Sequence, residues 1–153
     1  MEIRTLQRKD LDDLLLLYCH LHTDDQPQAG ADTIDRVWSL IEQNDGLIYL
    51  GAFIDGKLTA SCTLTLIPNL TRGCRPYGVI ENVVTHNAYR RRGLGMAVLR
   101  CALEMAWKHS CYKVMLMTGR LNKETFRFYE SAGFSCQGKQ AFIARTPEEN
   151  DGF

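Results

Sequence analysis

The sequence lacks long hydrophobic runs and has no net charge. Its longest apolar runs, such as residues 14–17, span only a few positions, whereas a membrane-spanning helix needs about 20 apolar residues. Lysine plus arginine number 18, and aspartate plus glutamate also number 18. Bulk charge therefore favours neither a nucleic-acid backbone nor an anionic membrane as a partner. These absences exclude a transmembrane protein and predict that any basic site is local.

Paired cysteine motifs, repeats and low-complexity segments are also missing. The six cysteines are scattered without a C-x-x-C pair, and the first residues show no signal-peptide pattern. We therefore expect a reduced, cytoplasmic protein and not a disulfide scaffold, a coiled coil or a collagen-like chain. With 153 residues, 45% of them hydrophobic, the chain is long enough for one domain with its own core.

The N-terminal part of the chain is predicted to hold one strand and two helices. Residues 1–6 form the strand, and Asp10 would cap a helix whose apolar positions between Leu11 and Tyr18 share one face. Residues 23–32 contain acidic residues, proline and glycine, which predicts a loop. An apolar stripe over residues 34–41 predicts the second helix.

A β-hairpin is predicted next, because Asp55-Gly56 suits a type I′ turn in which both central residues need positive φ. The two arms are residues 48–54 and 57–67. Along the second arm the residues alternate in polarity, which predicts an antiparallel strand with one apolar and one polar face. The apolar set is Leu58, Ala60, Cys62, Leu64 and Leu66, and the polar set is Thr59, Ser61, Thr63 and Thr65.

A strand–helix–strand crossover follows a loop over residues 68–76. Residues 78–86 are mostly apolar and predict a strand that carries Glu81. A helix is predicted to begin after Gly93, and residues 112–118 read as a buried strand. The fold class is therefore a mixed α/β sheet, antiparallel in its N-terminal part and parallel later.

The last part of the chain is predicted to contain a helix and a strand. Asn122 would cap the helix, Leu121 and Phe126 would form a hydrophobic staple, and Gly133 suits the left-handed position after the helix. Residues 134–144 would return as the last strand. Residues 145–153 are polar and mostly acidic, which predicts a disordered tail after a domain over residues 1–144.

Three consecutive arginines and a Gly-Leu-Gly sequence stand where a strand gives way to a helix. Glycines let a ligand approach the backbone, and the unpaired N–H groups and dipole of a helix N-terminus favour phosphate. The alternative is an arginine-rich solvated turn. A Walker loop is excluded because Gly-Lys-Ser/Thr is absent, and a dinucleotide fingerprint is excluded because Val98 replaces the third small residue. The segment is Arg90, Arg91, Arg92, Gly93, Leu94 and Gly95.

Two segments in order resemble the motifs of the GNAT superfamily of acyl-CoA-dependent N-acyltransferases. Residues 90–95 (RRRGLG) match the superfamily's Q/R-x-x-G-x-G/A pyrophosphate motif, and residues 122–134 (NKETFRFYESAGF) match its second motif. The resemblance implies one domain whose parallel central strands splay apart, with about four flanking helices. Within the superfamily, residues 78–95 and 111–137 are most similar to glucosamine-6-phosphate N-acetyltransferases. The early loops show no comparable match.

The resemblance also implies where acetyl-CoA binds as the co-substrate, with no metal required. Pantetheine would pair with the backbone of one central strand and contact Asn122, and the amides of residues 91–96 would hold the pyrophosphate. Lys123 or Arg127 would reach the adenosine phosphate. The implied cofactor-binding residues are Val83, Val84, Thr85, Arg90, Arg91, Arg92, Gly93, Leu94, Gly95, Met96, Asn122, Lys123 and Arg127.

Glu81 and Tyr129 are the candidate catalytic residues. A primary amine with a pKa of about 10.4 costs roughly 4 to 5 kcal/mol to deprotonate at pH 7, so Glu81 would serve as general base, directly or through water. The alternative is an exposed strand carboxylate. The resemblance implies that Tyr129 protonates the departing thiolate, whose pKa is about 8.5. The alternative for Tyr129 is a core aromatic beside Phe126 and Phe128.

We therefore expect a direct acetyl transfer from acetyl-CoA to a small primary amine. Arg72 and Arg75 would bind an anionic group of that amine, whereas Asp24, Asp25 and Asp32 would suit a polycation. Two other classes stay open: a coenzyme A sensor without turnover, and an acetyltransferase for protein lysines or N-termini. No nucleic acid or membrane is expected as a partner, and a homodimer is compatible with the sequence.

Overall fold

The computed structural model describes residues 1–21 and 29–146. The chain divides into two compact units, Met1–Leu116 and Met117–Phe153. Asp24 and Asp25 lie outside the described residues, as does most of the predicted tail.

The first unit is built on one five-stranded mixed sheet, as the sequence predicts. The strands lie side by side in chain order, with antiparallel pairing from the first to the fourth and parallel pairing between the fourth and fifth. They are β1 (Glu2–Thr5), β2 (Leu47–Ile54), β3 (Lys57–Ile67), β4 (Tyr77–Thr85) and β5 (Val114–Leu116). The last strand is shorter than the predicted 112–118.

Among the described residues, four α-helices belong to the first unit and one to the second. Their bounds are α1 (Leu11–Tyr18), α2 (Ala31–Glu42), α3 (Thr71–Cys74), α4 (Leu94–Lys108) and α5 (Lys123–Ser131). Because α2 begins at Ala31, Asp32 lies in its first turn and not in the predicted loop. None of the helices described here is long and apolar enough to cross a membrane.

The hairpin between β2 and β3 forms as the turn chemistry predicts. Asp55 and Gly56 adopt φ values of 50° and 77°, the left-handed geometry that a type I′ turn needs at both positions. The turn fixes the register in which Ile54 pairs with Lys57.

The strand β3 is antiparallel to both of its neighbours, as predicted, and three of its polar residues are buried. Thr59, Ser61 and Thr63 are 1%, 1% and 4% exposed. Helix α1 packs against β3, and its apolar residues cover this face. Because of a register shift beside Ala52, Leu58 does not pack with the rest of the predicted apolar set. It packs with Leu6 and the leucines of α1 instead.

Asp10 does not cap α1 through its side chain, contrary to the prediction. Its carboxylate accepts two hydrogen bonds from the Arg4 guanidinium, at 2.6 and 2.7 Å, and a third from the Gln7 N–H. The Arg4 contact holds the pKa of Asp10 below its usual value, although burial opposes this. Asp10 therefore joins β1 to the start of α1.

We expect Asp10→Asn to lower the free energy of unfolding at pH 7 by about 2 kcal/mol, because charge-assisted hydrogen bonds to a buried carboxylate are lost. Since the folded pKa is lowered, this contribution is complete above the unfolded value of 3.8 and is lost as the pH falls through the folded value. Urea titrations at pH 7 and below pH 4 measure the difference. Asp35→Asn, which removes the exposed partner of Arg8, is the matched control and should cost little. Equal losses in both variants would contradict the assignment.

Part of the prediction for the second unit is confirmed. The Asn122 side chain accepts from the Thr125 N–H at 2.8 Å, so it does cap α5. At the other end Gly133 has φ 98°, and the N–H groups of Gly133 and Phe134 bond to the carbonyls of Glu130 and Tyr129. These are the two hydrogen bonds of a Schellman motif.

Two predictions for this unit are wrong. Leu121 is 80% exposed, so it forms no hydrophobic staple with Phe126. Residues 134–144 form no strand, and Phe142 is 92% exposed. Polar residues and Gly138 separate the apolar ends of this segment, so it has no continuous apolar face to bury.

Candidate active site

Glu81 lies at an irregular point in the centre of β4. Asn82, the next residue, has φ 53°, and the pairing with β3 shifts there: Thr63 pairs with Glu81, and Ser61 pairs with Val84. Cys62 thus faces two residues of β4, which is the arrangement of a β-bulge. The bulge leaves the Glu81 side chain exposed, where an incoming amine can reach it.

The far edge of β4 offers free backbone beyond the parallel pairing. That pairing ends where Ile80 meets Leu116, so residues 81–85 have no strand partner on this side among the described residues. The predicted pantetheine partners Val83, Val84 and Thr85 lie in this stretch. The carbonyl of Thr85 already accepts a hydrogen bond from the Arg90 Nε at 3.3 Å. The backbone groups of Val83 and Val84 are therefore more available to pantetheine than that of Thr85.

The glycine segment before α4 forms a compact turn that exposes backbone donors. Arg91 and Gly93 have φ values of 62° and 78°. The first N–H of the helix to find a carbonyl is that of Ala97, which bonds to Gly93. In the described part of the chain, no acceptor pairs with the N–H groups of residues 94–96. Together with the dipole of a 15-residue helix, these donors suit a pyrophosphate.

Two of the three arginines in this segment contact other parts of the protein. Arg90 bonds to the carbonyls of Thr85 and His20 and so ties the turn to the end of α1. Arg92 lies over the Tyr89 ring, 5.2 Å from its centroid. Arg90 is therefore a structural residue as well as a predicted cofactor contact.

We expect Gly93→Val to weaken coenzyme A binding at least tenfold, because a β-branched residue is strained at positive φ and blocks the backbone. Gly93→Asn should retain more affinity, since asparagine tolerates this conformation. Isothermal calorimetry measures both. Gly56→Val, strained in the same way at φ 77° in the hairpin, is the control that should leave affinity unchanged. Wild-type affinity in Gly93→Val would remove the turn from the binding site.

Arg72 and Arg75 differ in how far they are available to a ligand. Arg75 donates to the carbonyls of Ser110 and Cys111, both at 3.2 Å, and so fixes the β3–β4 loop to the end of α4. Arg72 is exposed, with φ 58° inside the single turn of α3. Of the two, Arg72 is the better candidate for an anionic group.

The predicted residues of the second unit all lie on or beside α5. The Asn122 Oδ1 accepts the hydrogen bond that caps the helix. Lys123 and Arg127 are exposed. The Tyr129 ring packs edge-on against Phe128 and Phe134, with centroids 5.1 and 6.3 Å away.

Sequence reasoning missed a group of hydroxyls on the α1 side of the sheet. Tyr18, Ser61 and Thr63 each bury a hydroxyl oxygen there. Burial is the main cause that raises the pKa of Tyr18, and hydrogen bonding to the Thr63 and Asn82 side chains partly opposes it. The sequence shows the alternating Thr and Ser residues of β3, but it does not show that they are buried.

The buried Cys62 thiol is poorly suited to act as a nucleophile, and no metal-binding cluster is found among the described residues. Burial raises the pKa of the Cys62 thiol to about 12, which disfavours its reactive thiolate. No group of three or more His, Cys, Asp or Glu side chains in residues 1–21 and 29–146 could hold a metal ion. All six cysteines are free.

Comparison with known proteins decides the family. The sequence model of the Acetyltransferase (GNAT) family matches residues 11–134. The chain belongs to this family. It is accordingly an acetyl-CoA-dependent N-acetyltransferase that acylates a primary amine, and the turn before α4 in this GNAT enzyme is the one that the resemblance assigned to the pyrophosphate.

Relatives of this GNAT enzyme cover nearly its whole length. It is 32% identical over 143 residues to a glucosamine 6-phosphate N-acetyltransferase of Trypanosoma brucei brucei, covering 92% of each chain. A solved structure of a proposed acetyltransferase from Agrobacterium tumefaciens str. C58 superposes with a TM-score of 0.89 at 42% identity, covering 95% of this chain and 100% of the other. A solved acetyltransferase of Trypanosoma brucei gives 0.79 at 29% identity, covering 94% and 99%.

Proposed function

We propose that this GNAT enzyme acetylates the amine of a small phosphorylated aminosugar, of which glucosamine 6-phosphate is the first candidate, and that it does so in the cytoplasm. The observation that carries the proposal is the 32% identity to the trypanosomal glucosamine 6-phosphate N-acetyltransferase over 92% of both chains. The exposed Arg72 supports it, because a guanidinium in the short helix α3 before β4 suits a phosphate.

In the proposed reaction both substrates bind before any bond changes. Glu81 takes a proton from the acceptor's ammonium group, and the neutral nitrogen attacks the thioester carbonyl of acetyl-CoA. The tetrahedral intermediate collapses, the carbon–sulfur bond breaks, and Tyr129 donates its proton to the departing thiolate. The nitrogen loses its second proton as the amide forms, which restores the Tyr129 hydroxyl, and Glu81 releases the first proton to solvent. The products are the N-acetylated amine and coenzyme A, with the acetyl group never bound to the protein.

The backbone N–H groups at the start of α4 hold the pyrophosphate of acetyl-CoA, and the open edge of β4 aligns its pantetheine arm. Arg91 and Arg92 add positive charge there, and Lys123 and Arg127 are proposed for the adenosine phosphate. This arrangement orients the thioester, so that transfer within the ternary complex avoids the entropy cost of a bimolecular encounter.

An acceptor panel tests the proposal through thiol release from acetyl-CoA. Glucosamine 6-phosphate should react with a kcat/KM at least tenfold above that of glucosamine, spermidine, lysine and a peptide with a free N-terminus. Arg72→Ala should raise KM for the phosphorylated sugar and leave KM for glucosamine unchanged. A preference for spermidine or the peptide would overturn the acceptor class. Tight coenzyme A binding without transfer to any amine would favour the sensor instead.

A further inference from the structure

A chain of side-chain contacts leads from the end of α1 to residues 91–96, the pyrophosphate turn. The His20 ring packs on the His86 ring with centroids 4.2 Å apart, and the His86 ring meets the Tyr89 ring edge-on at 5.4 Å. The Arg92 guanidinium lies 5.2 Å from the centroid of the Tyr89 ring. These contacts join one helix, the end of β4 and the turn, all within the first unit.

His86 stands where β4 ends and the chain leads into this turn. Its N–H donates to the Thr59 carbonyl at 2.9 Å, which ties its backbone to β3. Its side-chain Nδ1 accepts the N–H of Ala88 at 3.2 Å and so caps the single 3₁₀ turn Asn87–Tyr89. The Tyr89 N–H closes that turn on the His86 carbonyl at 2.8 Å. The sheet therefore fixes the backbone of His86, and its side chain fixes the residues that follow.

The cap requires a neutral His86 imidazole. A ring nitrogen that accepts a hydrogen bond carries no proton, and an imidazolium has no acceptor nitrogen. His20 is also neutral at pH 7, because burial lowers its pKa from the ordinary value of 6.5 and the nearby His86 and Arg90 side chains lower it further. The two rings therefore pack without charge repulsion.

Arg90 holds the same stretch of chain at its other end. Its Nε donates to the Thr85 carbonyl at 3.3 Å, and its Nη2 donates to the His20 carbonyl at 3.4 Å. Residues 85–90 are thus fixed at the end of the strand, within their 3₁₀ turn and against the end of α1. Since the pyrophosphate turn follows directly, a shift of this stretch would also move its N–H donors.

We propose that His86 and Tyr89 are positioning residues for coenzyme A: the His86 imidazole fixes the approach to the pyrophosphate turn, and the Tyr89 ring restrains the Arg92 guanidinium within it. The inference rests on the proposed binding of the pyrophosphate at this turn. Both side chains raise the affinity by keeping the donors of the free protein in the arrangement that the ligand needs, so that less ordering is required on binding. They take no part in the chemical step at Glu81.

His86→Leu and His86→Asn test the cap. Leucine removes the acceptor, so the dissociation constant of coenzyme A and KM for acetyl-CoA should both rise about tenfold. The kcat at saturating acetyl-CoA and KM for the acceptor should not change. Asparagine places its Oδ1 where the imidazole has Nδ1, so His86→Asn should stay within about threefold of wild type. Calorimetry with coenzyme A measures the affinity without turnover.

Tyr89→Phe and Tyr89→Leu test the second contact. Phenylalanine keeps a ring under Arg92 and should bind coenzyme A as wild type does. Leucine should weaken binding about threefold, the effect expected for loss of a cation–π contact near the surface. His109→Leu is the control, because it removes a histidine whose ring nitrogen lies 2.9 Å from the Met105 carbonyl at the far end of α4. It should leave the affinity unchanged.

Three results would each overturn the proposal: wild-type affinity in His86→Leu, equal losses in His86→Asn and His86→Leu, or a fall in kcat without a rise in KM for acetyl-CoA. Should His86→Leu fail to fold, equal affinities of Tyr89→Leu and Tyr89→Phe would overturn it instead. A wild-type protein that binds no coenzyme A would contradict the proposed cofactor site and this inference with it. One that binds coenzyme A but acetylates no amine would contradict the proposed function alone.

Discussion

Glu81→Gln is expected to lower turnover at pH 7 by about 100- to 10,000-fold, the range for loss of a general base. The substitution keeps the size of the side chain and removes its capacity to accept a proton. Above pH 9 the rate should partly recover, because the free amine forms in solution as the pH approaches about 10.4. Initial rates of thiol release between pH 6 and 10, with both substrates saturating, measure the effect.

The exposure of Glu81 makes this test specific. Since the side chain is exposed and forms no ion pair within the described chain, Glu81→Gln should leave the melting temperature and acetyl-CoA affinity unchanged. Glu42→Gln, at the exposed end of α2, removes a carboxylate of the same kind and should keep wild-type turnover. An unchanged pH–rate profile in Glu81→Gln would show that another group is the base.

Local sequence signals predict those parts of the fold that local forces determine. The hairpin at Asp55-Gly56, the start of α4 after Gly93 and the cap and Schellman end of α5 each depend on a few neighbouring residues. Turn and cap chemistry acts within four or five positions. A single sequence contains all that is needed to predict them.

The predictions are wrong where tertiary contacts override the local sequence signals. Asp10 has the chemistry of a cap, but Arg4 offers two charge-assisted hydrogen bonds and takes its carboxylate. The alternation in β3 is real, yet α1 covers the polar side as well. The sequence of residues 134–144 predicts a strand, but no strand in the described part of the chain pairs with them.

The candidate site also has one part that local sequence predicts and another that depends on long-range contacts. Motif spacing predicts the turn at Gly93 and the strand that carries Glu81, because both are continuous in the sequence. The bulge at Asn82 and the burial of Thr63 arise from pairing with β3 and packing of α1. Neither leaves a local signal beyond an asparagine in an apolar strand.

Tyr129→Phe is expected to lower turnover by about 100- to 10,000-fold if departure of the thiolate limits the rate. Only the hydroxyl is removed, so the ring keeps its edge contacts with Phe128 and Phe134. The melting temperature and acetyl-CoA affinity should therefore change little. Tyr112→Phe, whose ring has a similar edge contact with Tyr77 at 6.3 Å, is the matched control and should retain full turnover.

The pattern of losses in Tyr129→Phe distinguishes a catalytic hydroxyl from a structural one. A large fall in kcat with unchanged stability assigns the general acid, because the departing thiolate, with a pKa of about 8.5, then lacks its proton donor. A fall of less than threefold with a saturating acceptor shows that water protonates the thiolate instead. If the melting temperature drops while kcat of the folded fraction is retained, the hydroxyl satisfies a buried partner, and its loss costs stability in place of rate.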